Sequence, residues 1–439
     1  MIDNVGATMY GWARDLFPIC RSLTGDGVRE TLGYFQNILP DLRIVEVPTG
    51  SRAFDWTVPK EWNISDAYVA DMSGNRIIDF QESNLHVVGY STPVDRVMTF
   101  EELDDHLFSI PRQPDAIPYV TSYYEERWGF CLTETQRSLL RKDPKAKFKV
   151  RIDSDLKPGH MTYGELIIPG RTEKEILLST YVCHPSMANN ELSGPCVTAA
   201  LASWLSGLSG SRYTYRVLFL VETLGAIVYL SRHLDEMKRN VEAGYVITCV
   251  GDENAYSYIQ SRNGDALSEK VLDHVLKHRA GQYKTYSFLE RRSDERQYCS
   301  PGVDLPVCTV CRSKFGEYPE YHTSLDDLSF ISADGLYGSY DLLKNCLEIL
   351  ENNRRFRNKI LCEPQLGRRG LYPAVSQAGS VDSVRRMRNF LAYADGTRDL
   401  VDLAETIGAY ARDLQSIVES LSGERIIEIV DSEENVGPS

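Results

Sequence analysis

Residues 175–205, EILLSTYVCHPSMANNELSGPCVTAALASWL, decide the fold. Ile176, Leu177, Leu178, Thr180, Tyr181 and Val182 form a short apolar run rich in β-formers, the pattern of a strand buried on both faces. Ser193 and Gly194 then open an Ala-rich helix. Between the two stands His184, which Pro185 biases toward extended backbone. In an open α/β sheet, ligands bind in the crevice beyond the carboxyl ends of the strands, so His184 occupies a place where a site is expected. A lone His after a strand is more often structural, but its neutral imidazole is also a natural zinc ligand.

Outward from this corner, the runs KFKVRI, GELIIPG, YRVLFLVE, GYVITCVG, YSYIQSR and LPVCTV alternate with helical segments at 193–208, 225–239, 266–280 and 332–352. Such alternation predicts an α/β domain with a mainly parallel mixed sheet and helices on both faces. Upstream, Trp12, Leu16, Ile19, Val28, Leu32 and Phe35 fit two amphipathic helices separated by Thr24-Gly25-Asp26-Gly27. Between about Val45 and Thr135 the character changes to short β-like, aromatic-rich runs, which predicts a small inserted β-rich domain. Gly367, Gly370, Pro364 and Pro373 mark a further boundary, after which 381–391, 398–408 and 411–421 read as helices, followed by the strand-like RIIEIVD and a polar tail. Three helices and a β-ribbon describe a winged helix. The expected organisation is therefore 1–45 with 136–355 as the α/β domain, 46–135 as the insertion, and 356–439 as the winged helix.

A chain of 439 residues is too long for one ordinary core, which agrees with several domains. Its net charge of −14 argues against general nucleic-acid affinity. The C-terminal region has twelve Lys/Arg against thirteen Asp/Glu from Asn353 onward, with only Arg385, Arg386 and Arg388 clustered, so a docking or dimerisation role is favoured over DNA reading. No run approaches the eighteen apolar residues of a membrane span, and the first thirty residues lack a signal-peptide layout, so cytoplasmic residence is the default expectation. Ten scattered cysteines suit reduced thiols, and Cys308-Thr309-Val310-Cys311 lies in an apolar run that reads as a strand rather than a zinc or redox motif.

Three further places could carry chemistry. Glu222 ends the apolar strand YRVLFLVE, where a carboxylate is costly unless paired or used; it is a general-base candidate or a helix cap. His322, in YHTSLDD, has a carboxylate four residues on, a layout for a ligand with its supporting shell, while Thr323 or Ser324 could simply cap a helix. Ser293-Asp294-Glu295-Arg296 places two carboxylates in a loop, a pattern that most often marks solvated surface.

The order of these elements resembles the zinc aminopeptidases of the clan that includes glutamate carboxypeptidase and the transferrin receptor ectodomain. More specifically, CHPSMANNELSGP, RSLTGDGVRETL, EYHTSLDD and EPQLGRRGLYP are similar to a bacterial group of aminopeptidase-like proteins with an inserted β domain and a C-terminal winged helix, over nearly the full length. The resemblance implies a zinc-exopeptidase-like fold and a metal-dependent hydrolase of an amide bond near a free amino terminus, acting on a short peptide or an aminoacylated metabolite. The family's bridging Asp, three residues before the Ser of the Ser-Gly pair, is Asn190 here, and its paired Glu-Glu becomes Glu222-Thr223. An amide oxygen is a poor substitute for a carboxylate bridging two cations. The implied site has one zinc, favoured over two, held by His184, Glu191 and His322 with Asp252 as a weaker fourth. Glu222 acts as general base toward water acidified by the ion, and Asp294 or Glu295, beside Asn190, receives the substrate's amino group. Two other classes compete: a catalytically inactive binding or assembly protein, favoured by the changes at Asn190 and Thr223, and a winged-helix DNA-binding regulator. Self-association through the winged helix or the insertion is a further expectation.

Overall fold

The computed structural model describes residues 5–123, 125–371 and 378–430. The polar tail after Val430 and the Tyr372-Pro373 end of the EPQLGRRGLYP motif lie outside the described residues. By its internal contacts the chain divides into two units, Met1–Ser268 with Tyr283–Tyr340, and Glu269–Gln282 with Asp341–Ser439.

The first unit is organised by an eight-stranded mixed sheet. Its strands are β1 (Arg43–Pro48), β2 (His160–Ile168), β3 (Glu175–Tyr181), β4 (Thr214–Leu220), β5 (Val241–Ile247), β6 (Ser257–Ile259), β7 (Lys284–Tyr286) and β8 (Val307–Cys311). They lie in the order β1-β2-β4-β3-β5-β8-β6-β7. The central pairs β4–β3, β3–β5 and β5–β8 are parallel, and β1–β2, β2–β4 and β6–β8 are antiparallel. Every residue of β3 and of β8 is buried, as expected of strands covered on both faces. Helices α1 (Val5–Leu16), α2 (Asp26–Ile38), α3 (Ser193–Ser206) and α4 (Leu224–Asn240) belong to the same unit. Neighbouring residues of β2 show where two of them lie: Tyr163 meets Tyr229 of α4 edge to face at 5.6 Å, whereas Gly164 sits under Leu32 of α2. Because successive strand residues point to opposite faces, α2 and α4 cover opposite sides of the sheet.

The expected β-rich insertion is present as a four-stranded antiparallel sheet in the order 76–79, 61–70, 147–157, 94–99. Its core includes Val69, Ile78, Phe100, Phe130, Phe148 and Val150. Lys147–Lys157, which the sequence assigns to the α/β alternation, pairs instead with 61–70 and 94–99. Its burial alternates strictly at first, the mark of a strand with one face toward a core, and that pattern does not say which core. Glu61 fastens this sheet to the rest of the unit. One carboxylate oxygen accepts from Arg29 of α2 at 2.5 Å and the other from the His160 backbone N–H of β2 at 2.8 Å.

In the second unit, strands 395–399, 355–358 and 427–430 form an antiparallel sheet in that order, accompanied by helices 378–393, 400–407 and 415–423. This is the expected winged helix with a third strand added. The helix Leu267–Arg279, expected from its position to belong with the α/β domain, is for most of its length part of this unit. His274 binds Glu405 through Nδ1 at 2.6 Å and accepts the Ala411 N–H through Nε2 at 2.9 Å, and Lys270 pairs with Asp399 at 2.9 Å. Among the described residues, no helix is long and apolar enough to cross a membrane.

The Glu61 junction predicts an acid-sensitive fold. Burial alone would raise its pKa, but Arg29, the His160 N–H and Asn63 outweigh burial and hold it down at about 2. A carboxylate with a depressed folded-state pKa stabilises the fold fully above the unfolded value and loses that contribution as pH falls through the folded one, here between about 4.5 and 2. Glu61→Gln is expected to cost about 2–3 kcal/mol at neutral pH, by loss of charge-assisted hydrogen bonds, with the deficit shrinking toward pH 2. Urea unfolding of both proteins from pH 7 to pH 2.5 measures this; a pH-independent difference would contradict it.

Candidate active site

The site lies beyond the carboxyl ends of β3, β4, β5 and β8. Chain leaving β3 passes Cys183 and His184 and enters a π-helical turn, Ala188–Leu192, before α3 begins at Ser193. In this wider turn Asn189, Asn190, Glu191 and Leu192 are all buried, which an ordinary helical turn with one outward face does not achieve. Gly194 allows it, because a Cβ there would collide with the Ile247 carbonyl at the end of β5 and with Thr180 of β3. Ser193 donates to the Asn189 carbonyl at 2.5 Å and accepts the Val250 N–H at 2.9 Å, tying the turn to the exit of β5.

His184 and Glu191 are held against each other, Nδ1 to Oε2, at 3.0 Å. Behind Glu191 lies Arg21, whose guanidinium is wholly buried, with Nε 3.5 Å from the other carboxylate oxygen. Arg21 also donates to the carbonyls of His184 and Leu16, at 2.9 and 2.8 Å. His184 Nε2 faces the opposite way, 3.7 Å from Glu222 Oε2. Glu222 follows β4, and its side chain is 23% exposed, so it is open to a substrate in a way that Glu191, fully buried, is not. Burial, helped by Arg21, pulls the His184 pKa down to about 3, and burial with a smaller effect of His184 does the same to His322. Both imidazoles are thus neutral at pH 7. Burial and then the charge of Asp294 push the Glu222 carboxyl well above the usual carboxylate range, against the pull of Arg296.

His322 comes from the loop after β8. Its ring centroid is 5.6 Å from that of His184, and its Nε2 is buried without a hydrogen-bond partner. Its backbone is left-handed, with φ 57°, and so is that of Thr223 beside Glu222, with φ 65°. A β-branched residue such as Thr adopts that region only under constraint, and strain of about 1–3 kcal/mol per residue is commonly stored at functional sites. The insertion supplies the constraint on His322. Tyr119 N–H donates to the His322 carbonyl at 2.8 Å, and Ser324 and Ile117 exchange two hydrogen bonds, so 117–119 runs as a short strand along 322–324. Tyr119 then places its ring 5.2 Å from His184 and 5.1 Å from His322, with its hydroxyl 2.5 Å from that of Tyr123. Thr223 is fixed from the other side, its N–H donating to Asp294 at 2.6 Å and its hydroxyl accepting from Arg296.

Of the eight residues singled out in the sequence, the structure brings Glu222 to 3.7 Å and the ring of His322 to 5.6 Å from His184. Glu191 meets the far nitrogen of His184, Arg21, and the backbone of Cys183 and His184. Asp252 is engaged elsewhere: it accepts from Asn189 Nδ2, from the Ser313 N–H and hydroxyl, and from the Asn254 N–H, at 2.8–3.0 Å. Glu295 is occupied as well, receiving the backbone N–H groups of Arg292 and Ser293 and the Thr309 hydroxyl. Asp294 is buried against Thr223, with its second oxygen unpartnered. Asn190 gives its amide N–H to Tyr181 at 3.1 Å, and its side-chain oxygen is buried without a partner. The carboxylate four residues after His322, Asp326, supports the opposite loop by accepting the N–H groups of Asn189 and Asn190 at 2.6 and 2.9 Å. Two contributors went unseen in the sequence. Arg21 shows only as one Arg in an otherwise ordinary helix connection, and Tyr119 as one aromatic among many in the insertion.

The donor chemistry fits a divalent cation. The neutral His184 lies 3.7 Å from Glu222, the ring of the neutral His322 lies 5.6 Å from that of His184 with its Nε2 lacking any partner, and each histidine is braced from behind. Two other groups bring possible ligand atoms close together and fit less well: in Cys183, His184 and Glu191 the His184 Nδ1 is already bonded to Glu191, and in His274, His278 and Glu405 both ring nitrogens of His274 are used.

Comparison with known proteins agrees with this architecture. A zinc aminopeptidase from Bacillus subtilis superposes with a TM-score of 0.53 at 13% identity, over 78% of this chain and 94% of that one, which places the sheet and its helices in the aminopeptidase-like fold. The chain belongs to the family described as "Domain of unknown function (DUF4910)", which matches residues 10–353, and residues 354–429 match a winged helix-turn-helix family. A protein of Clostridium acetobutylicum named "Putative polysaccharide biosynthesis protein with aminopeptidase-like domain" is 44% identical over 98% of both chains. A crystal structure of a "putative peptidase" from Clostridium acetobutylicum superposes with a TM-score of 0.90 at 43% identity, covering 97% of this chain and 96% of that one.

The Arg21–Glu191 pair predicts a non-additive mutant cycle. Arg21→Met leaves Glu191 as an uncompensated buried carboxyl and is expected to destabilise by about 3–5 kcal/mol. Adding Glu191→Gln removes that charge, so the double variant should be more stable than the sum of the single losses by more than about 1 kcal/mol. Urea unfolding of the four proteins gives the coupling; additive losses would show that the two side chains do not interact.

Proposed function

We propose that the protein is a metal-dependent amide hydrolase acting near a free amino terminus. The observation that carries the reading is the unpartnered, buried Nε2 of His322, on a ring 5.6 Å from that of His184, with Glu222 3.7 Å from His184 Nε2. His184 and His322 would hold one zinc ion. Glu191 is better read as the carboxyl that orients His184 than as a ligand: burial pushes its pKa up to about 8 against the pull of Arg21, and its Oε2 lies 3.0 Å from His184 Nδ1. Asp252 is left out of the ligand set, since its oxygens serve Asn189, Asn254 and Ser313. When bound, the ion supplies Lewis acidity, polarising the scissile carbonyl and acidifying water.

The chain's own residues supply the rest. Glu222, made basic by burial and by Asp294, takes the proton of the attacking water and returns it to the leaving amine, so that amide and water become acid and amine. Asp294 acts from behind, holding Thr223 and with it the direction of Glu222; its burial makes it a poor receptor for a substrate ammonium. Tyr119 walls the space between the histidines and limits water. For the substrate, a short peptide and an aminoacylated small molecule both fit the chemistry, and the name of the Clostridium relative, which joins an aminopeptidase-like domain to polysaccharide biosynthesis, favours a sugar-linked amide. A DNA-reading role for the winged helix has little support, because Arg386 and Arg388 of its arginine cluster already lie against Asp413 and Glu363.

Metal analysis and turnover on a panel of aminoacyl amides test the reading together. About one zinc per chain is expected, lost in His184→Ala and in His322→Ala. Glu222→Gln should keep the metal and lose activity by about 10²–10⁴-fold. Loss of the metal in Glu222→Gln would make Glu222 a ligand rather than the base. Absence of zinc, with no activation by added divalent ions, would sink the metal centre, and bound zinc without turnover on any amide would favour the inactive binding protein.

A further inference from the structure

A cavity of about 780 Å³ opens at the seam between the inserted sheet and the helices that precede β1. Its size lies within the range of small-molecule sites. Two of its wall residues, Ser186 and Ser324, stand two positions beyond His184 and His322, so the loops that form the candidate active site also form one side of this space. The chemistry of the wall is selective. It contains Asp26, Glu30, Glu82 and Asp327 and several amides and hydroxyls, but, among the described residues, no Lys, Arg or His. Anionic ligands are therefore unwelcome, since nothing would compensate for their desolvation. Phe17 and Phe80, both only partly buried, give it apolar faces.

Asn84 marks the cavity as more than a packing gap. Its residue is 92% buried, from 8% relative exposure, and its amide N–H reaches the Pro18 carbonyl at 3.3 Å, but the side-chain oxygen has no partner. A buried acceptor without a donor costs about 1–3 kcal/mol, and because this oxygen has almost no accessible surface, a ligand hydroxyl or amine relieves that cost once the Asn84 side chain turns into the cavity. Carboxylate and amide acceptors together with two partly buried rings suit a molecule with many O–H or N–H donors around a compact carbon skeleton. We propose that this cavity is a binding site for a sugar-like polyol that is uncharged or carries an amine. Its use as the pocket for the non-reacting part of a substrate rests on the hydrolase reading; the binding itself does not.

Saturation-transfer NMR with the full-length protein tests the site without turnover. The probes are N-acetylglucosamine, glucosamine and glucuronate, each at about 10 mM, which detects the weak affinities of single sugars. Signals are expected from the first two and not from glucuronate. Asn84→Leu and the exposed Glu82→Lys should each weaken binding by about tenfold, the effect of one lost hydrogen bond or one charge reversal, and thermal melts show whether each variant is folded. Glu222→Gln should leave the signals unchanged, so that failure of the hydrolase reading and failure of the site are separable. Silence from both uncharged and amine-bearing sugars, equal binding of glucuronate, or signals that survive both cavity variants would overturn the proposal. Displacement of the sugars by a lysine dipeptide at lower concentration would overturn it in favour of a basic peptide.

Discussion

Arg21 and Glu191 form an ion pair with no exposed side-chain surface, and much of the site depends on it. Two charges withdrawn from water cost several kcal/mol each, so such a pair survives only where both partners make further hydrogen bonds. Arg21 does so through the carbonyls of Leu16 and His184, and Glu191 through His184 Nδ1. In consequence the end of α1, the exit of β3 and the π-helical turn are joined at a single guanidinium. Arg21 also grips His184 twice over, by its carbonyl directly and by its ring through Glu191, which leaves the imidazole little freedom to rotate.

The second histidine is held by a different device. His322 has a left-handed backbone, and nothing in YHTSLDD compels it. The compulsion comes from the insertion, whose residues 117–119 bond along 322–324, and from Asp326, whose carboxylate ties the same loop to the N–H groups of Asn189 and Asn190. Each histidine loop thus braces the other, and the insertion is a structural part of the site rather than an ornament of the surface. Burial does the electrostatic work, keeping both imidazoles neutral while pushing Glu222 in the direction a base requires.

The sheet was legible because fully buried parallel strands write themselves as unbroken apolar runs, and His184 and Glu222 were legible because they follow such runs at the ends where ligands bind, whereas His322 was legible from the carboxylate four residues on. What sequence does not record is which lone pairs are already taken. Glu191, Asp252 and Glu295 have the right residue types, but their oxygens are committed to Arg21 and His184, to Asn189, Asn254 and Ser313, and to a loop of backbone N–H groups. The π-helical turn is equally silent, since one additional residue in a turn changes no periodic pattern long enough to read. Partner choice was the other blind spot: the half-buried rhythm of 147–157 fits a strand in any sheet, and only the three-dimensional fold assigns it to the insertion.

Charge balance gives the altered ligand set a physical sense. Asn190 and Thr223 carry no charge, Glu222 lies 3.7 Å from His184 with part of its surface exposed, Glu191 lies against Arg21, and Asp294 is buried behind Thr223. A second divalent ion would add two positive charges with no carboxylate left to offset them, in a region where burial already opposes charge. On the hydrolase reading this favours one ion. Arg21 strengthens the argument: a buried guanidinium so close to His184 lowers the affinity of the region for further cations.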